Sequence, residues 1–143
     1  MNNSSRFLSV AALNMMLAGN AAYAHNIPSM ITGEAKLKAG KNKEAIADFT
    51  KAIENSPKLR SDDLSKAYYS RAVAERAIGA VVAARADFEK SIEVDPTPLD
   101  AQGFKNRALA KSYLGDTQGA ASDFKRAGSF GDNSVTEEIN SKG

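Results

Sequence analysis

The feature that most restricts what this chain can fold into is its internal repetition. Asp48-Phe49-Thr50-Lys51-Ala52-Ile53-Glu54-Asn55-Ser56-Pro57 aligns with Asp87-Phe88-Glu89-Lys90-Ser91-Ile92-Glu93-Val94-Asp95-Pro96, six of ten positions being identical at an offset of 39. A third copy, Asp123-Phe124-Lys125-Arg126-Ala127, follows 36 residues later. The register extends upstream. A small residue (Gly33, Ala72, Ala108) is followed seven positions on by Gly40, Gly79 and Gly115. Five further come Ala45, Ala84 and Ala120, then Phe49, Phe88 and Phe124, and last Ala52, Ser91 and Ala127. Only the connections between units vary in length. Five landmarks do not stay in register three times by chance, so the chain is a stack of similar units.

Each unit is expected to be two helices. The segments around Ala35, Leu64 to Ile78 and Leu99 to Leu114 have apolar residues at helical spacing and end at the Gly, which tolerates the positive φ that stops a helix. Second helices follow over Lys43 to Asn55, Val81 to Val94 and Thr117 to Ser129, their Ala and Phe landmarks four apart on one face. The four prolines, Pro28, Pro57, Pro96 and Pro98, are expected between helices. Thr97-Pro98-Leu99-Asp100 predicts an N-cap at Thr97, and Ser134-Val135-Thr136-Glu137 a capping box opening a last short helix near Val135 to Ser141. Small residues on both helices let the backbones approach, and the Phe of the second helix fills the space before the next unit. No pair buries its apolar face alone, so neighbours must stack into a superhelix.

At these residues the chain resembles the tetratricopeptide repeat family. The middle unit carries the resemblance: Ala67-Tyr68-Tyr69-Ser70-Arg71-Ala72, then Ile78-Gly79, Ala84, Asp87-Phe88, Ser91-Ile92 and Val94-Asp95-Pro96. The first unit has Lys36 where an aromatic is usual; the third lacks the closing Pro and has Gly128 where a bulky apolar residue is usual. The resemblance implies an all-α fold, antiparallel helix-turn-helix repeats in a short right-handed superhelix of about three units plus a C-terminal capping helix. The expected organisation is a leader over 1–24, a repeat domain over 25–132 with units at about 25–57, 61–96 and 97–132, and a capping helix and tail over 133–143.

The leader is expected because Met1 to Arg6 is polar and ends in a positive charge, while Phe7 to Leu17 is largely apolar. Ala22-Tyr23-Ala24 then supplies a small-x-small cleavage site. That apolar run is too short, and too interrupted by Ser9 and Asn14, to span a bilayer of about 30 Å. Cleavage would make His25 the first residue of an exported protein, and the resemblance points to a bacterial periplasm.

Composition narrows the chemistry. With no Cys and one His, the chain has no disulfide, thiolate metal site or Cys nucleophile. Nineteen basic and 17 acidic side chains alternate in sign, so no basic stripe for nucleic acid is visible. A terminal His25 has an amine and an imidazole that chelate Cu(II), but a copper enzyme needs a second His. Asp62-Asp63 and Glu137-Glu138 are adjacent residues, which diverge on a helix; they are expected as helix-start charges. No phosphate loop, Gly-x-Ser-x-Gly or His-Glu-x-x-His motif occurs. The expectation is a protein that is not an enzyme and carries no cofactor or metal.

The resemblance instead implies a concave groove lined by first helices that takes up a peptide or protein partner. Carried over by position, it presents Tyr69, Val73 and Arg76 from the second unit, and Lys105, Leu109 and Ser112, with Tyr113 alongside, from the third. Met30, Glu34 and Leu37 come from the first. The mix suits a peptide with apolar side chains and some negative charge. The expected function is an exported scaffold or adaptor that binds a protein partner, without nucleic acid or stable membrane insertion. The alternative is a structural subunit that self-associates as a homo-oligomer through its terminal repeat faces.

Overall fold

Three glycines divide the chain into hairpins. Gly40, Gly79 and Gly115 have φ of 72°, 79° and 93°, a left-handed conformation that Cβ disfavours in other residues. Each closes a helix in the same way. The amide of the following residue turns back five positions, Lys41 donating to the Lys36 carbonyl, Ala80 to Glu75 and Asp116 to Lys111, at 2.9 Å in all three. These are Schellman caps, which satisfy carbonyls the helix end leaves open.

The computed structural model describes residues 27–55 and 59–140, the last ten as backbone alone. Within them lie six helices and no strand. They are α1 (27–38), α2 (Asn42–Glu54), α3 (Ser61–Ala77), α4 (Val81–Val94), α5 (Ala101–Leu114) and α6 (Thr117–Asn140). Within each hairpin α3 packs on α4 and α5 on α6; between hairpins α2 packs on α3, and α4 on α5. The all-α stack of hairpins expected from the repeats is what the chain forms. No helix among the described residues is long and apolar enough to cross a membrane.

Packing follows the landmarks. Phe49 lies in a cluster with Met30, Ala45, Ala52, Leu59, Ala67 and Ala74, drawn from both the first unit and the helix that begins the second. The fit at α1 is tight: a Cβ on Gly33 would come within 2.9 Å of the Phe49 ring. Phe88 sits among Ala72, Ala84 and Ala110, with Tyr69, Val73, Ile92, Tyr113 and Leu114 packed around them. Each buried ring contributes roughly 1.5–3 kcal/mol by removal from water. Phe124 breaks the pattern. It is 42% exposed, and among the described residues no helix of a further unit packs over it.

Four local expectations are corrected. Pro28 lies within α1 and not between helices. α5 begins at Ala101, not near Thr97; Asp100 is its N-cap, accepting from the Gly103 amide at 2.6 Å. No short helix starts near Val135, since α6 runs unbroken to Asn140. The chain there has no proline, unlike the segments after α2 and α4, so nothing forces it out of the helix. Glu137-Glu138 therefore lies inside a helix and not at its start, whereas Asp62 and Asp63 do occupy the first turn of α3.

Candidate peptide-binding recess

Between α3, α4 and α5 lies a recess of about 270 Å³, lined by Tyr69, Val73, Arg76, Phe88, Leu109, Ser112 and Tyr113. Its position follows from helix periodicity. Residues 69, 73 and 76 share one face of α3, and 109, 112 and 113 the opposing face of α5. The Phe88 ring of α4 forms the floor. Its centroid is 5.7 Å from Tyr69 and 4.7 Å from Tyr113, both tilted, as aromatic quadrupoles prefer. Burial pushes the Tyr69 hydroxyl above its ordinary pKa, an effect the Arg76 charge partly offsets. The Arg76 guanidinium lies 5.9 Å from the Tyr113 ring centroid, a cation–π contact. Among the described residues no carboxylate pairs with it. An apolar floor with aromatic walls and one cation at the rim suits an apolar side chain next to a negative charge.

Six of the residues expected at the groove thus come together. Lys105 does not: it is exposed one turn before Leu109 and outside the recess. The first unit contributes nothing. Met30 is buried beside Phe49, Leu37 packs on the same cluster, and Glu34 pairs with Lys66 at 2.7 Å. His25 lies outside the described residues. No group of His, Cys, Asp or Glu among the described residues is arranged to hold a metal ion. Phe88, expected only as a core residue, also shapes the recess floor; its role shows only once α5 is laid against it.

The sequence also concealed a ladder of ion pairs. The Asp that precedes each landmark Phe takes a cation from its own unit. Lys36 reaches Asp48 at 2.6 Å. Arg71 and Arg107 each grip their Asp, Asp87 and Asp123, with two nitrogens. Lys111 adds a contact to Asp123 at 2.9 Å. Hydrogen bonding from Lys36 holds Asp48 below the ordinary carboxylate range. Burial acts to raise Asp123, but hydrogen bonds from Arg107 and Lys111 outweigh it, and its pKa is lowered. The legible signal was Arg before the landmark Ala in units two and three, 16 residues ahead of the Asp.

The middle unit departs from the ladder at one position. Where the outer units have Lys36 and Lys111, it has Glu75, 9% exposed, with Oε2 buried and without a hydrogen-bond partner. Burial, and then the charge of Asp87, push the Glu75 carboxyl up to about 7, with Arg71 acting in the other direction.

No curated protein matches the chain. Residues 33–59 match the family model described as Tetratricopeptide repeat. The match begins at the landmark Gly33 and covers the first hairpin from there, although the residues that carried the resemblance were those of the middle unit. With the helical hairpins that recur in the same register, it supports reading this chain as a tetratricopeptide repeat protein.

Proposed function

We propose that this protein is an interaction module that binds a peptide or protein partner at the recess between α3, α4 and α5, and performs no chemistry itself. One observation carries the reading. Two first helices bring aromatic, aliphatic and cationic side chains onto one concavity, and its cation, Arg76, has no carboxylate partner among the described residues. The partner segment presents an apolar side chain to the Phe88 floor and a carboxylate to Arg76. Lys105 acts from outside the recess by charge, so it affects the association rate more than the anchoring.

The test pairs affinity with stability. The partner is isolated by crosslinking in the compartment where the protein resides, and its affinity is measured against Tyr69→Ala, Arg76→Ala and Lys105→Ala. Tyr69→Ala and Arg76→Ala weaken binding by roughly 1–3 kcal/mol each. Arg76→Ala and Lys105→Ala, being exposed, leave the melting curve nearly unchanged. Wild-type binding by all three variants, with loss on changing the opposite face of the stack, overturns the reading.

The proposal includes export. Its support is the leader-like composition of residues 1–24, and mass spectrometry of the soluble product is expected to find His25 first. A product that retains Met1 refutes it.

A further inference from the structure

The end of the array at α6 keeps a residue it does not use. Phe49 is covered by α3 and Phe88 by α5, but Phe124, in the same register, is 42% exposed. The opposite end has the matching surplus. In each interface between units, the following helix seats an alanine two positions after its small landmark. Ala74 packs in the cluster around Phe49, and Ala110 in the one around Phe88; both are fully buried. The third member of that series is Ala35 in α1. It is exposed, and one turn before it on the same face Ile31 is 62% exposed. The equivalents of Ile31 in α3 and α5 are the polar Ser70 and Asn106. So α1 is built like a helix that seats on a preceding unit, and more apolar there than the two that do. The α6 end is built like a unit that receives one. Gly128 stands where the inner units have Ile53 and Ile92, and a Cβ there would meet nothing within 4 Å.

We propose that these two ends are the halves of one interface, and that α1 of a second copy seats on α6 as α3 seats on α2 and α5 on α4. The occupant is this same chain, because the repeat register supplies both surfaces and two worked examples of how they fit. The contact is heterologous, so a linear assembly keeps a free α1 face at one end and a free α6 face at the other, and adds chains one at a time. A one-helix seat is small for a stable complex, so association is weak and dependent on concentration. The inference does not rest on the recess, since none of its residues lines it.

Sedimentation equilibrium of the chain as purified tests this, from about 10 μM to about 1 mM, the range that a weak interface populates. The average mass of wild type should rise through two chains and beyond. Ile31→Glu and Phe124→Glu should each remain one chain at the same concentrations while still melting as a folded protein, since both side chains are partly exposed. Mixed together, the two variants should form a two-chain species and stop there, since each retains one intact half. Ala35→Arg should behave like Ile31→Glu, and replaces it if that variant melts early. A wild type that stays monomeric at about 1 mM, or a mixture that does, overturns the proposal. So does loss of association in Phe124→Glu alone, which would mean α6 pairs with α6.

Discussion

Arg71 lays its guanidinium along the carboxylate of Asp87, Nε to Oδ2 at 2.6 Å and Nη2 to Oδ1 at 2.9 Å, while Nη1 donates to the Thr50 hydroxyl at 3.0 Å. One side chain on α3 thereby ties down the helix of its own hairpin and the helix of the preceding one. The planar fork makes this possible, since an ammonium cannot hold both carboxylate oxygens in one plane. The bond to Asp87 holds the Arg71 pKa above its already high value. Beside the pair stands Glu75, its Oε1 4.0 Å from Arg71 Nε.

Arg71→Ala should therefore cost more than Arg107→Ala, although the two arginines grip their aspartates alike. Removing Arg107 leaves Asp123 with Lys111. Removing Arg71 leaves Asp87 beside Glu75, two carboxyls with no cation between them. Expected losses are roughly 2–4 kcal/mol for Arg71→Ala and about half that for Arg107→Ala, from chemical denaturation at pH 7. Equal losses would show that Lys111 gives Asp123 no support.

Glu75 makes stability depend on pH. Its carboxyl titrates near 4.5 in the unfolded chain and at about 7 in the folded one. Between those values the unfolded chain has released a proton that the folded chain keeps, so stability falls as pH rises and levels off above 7. Glu75→Gln removes that titration. Relative to the variant, wild type should lose roughly 1–3 kcal/mol between pH 4.5 and pH 8. Thermal melts of both proteins across that range measure it, and parallel profiles would refute it.

Phe88 and Phe124 occupy the same register position and should respond differently to truncation. Phe88 is 2% exposed and packs between two units, so Phe88→Ala should cost about 3–5 kcal/mol. Phe124→Ala in dilute solution should cost less than half of that. Denaturant midpoints at low micromolar protein make the comparison.

Two glycines should respond to Gly→Ala in opposite directions. Gly79→Ala forces a Cβ into a φ of 79° and should destabilise by about 1 kcal/mol. Gly128→Ala sits within α6 in open space and should stabilise by up to about 1 kcal/mol through helix propensity. Melting temperatures moving the same way would refute either the left-handed conformation at Gly79 or the open helical site at Gly128.

What the residues alone determined is local and periodic. Gly40, Gly79 and Gly115 specify where helices stop, because only a residue without Cβ takes that φ without strain. The Ala and Phe spacing specifies which faces meet, because helical periodicity is a property of the backbone. The two arginines of the ladder, Arg71 and Arg107, and the recess trio on each helix recur in the same register once it is known where helices lie. What required the tertiary structure depends on distance between units. Asp100 rather than Thr97 caps α5, and α6 continues past Ser134, because a cap is chosen by where neighbouring helices hold the chain as well as by residue preference. Met30 goes to the core, Lys105 stays outside the recess and Phe88 becomes its floor, since burial is decided by the opposing helix and not by the residue's own. Glu75 is the clearest case. In the sequence it is one more exposed-type charge, and only its confinement between Arg71, Asp87 and the buried face of α3 raises its carboxyl into the neutral range.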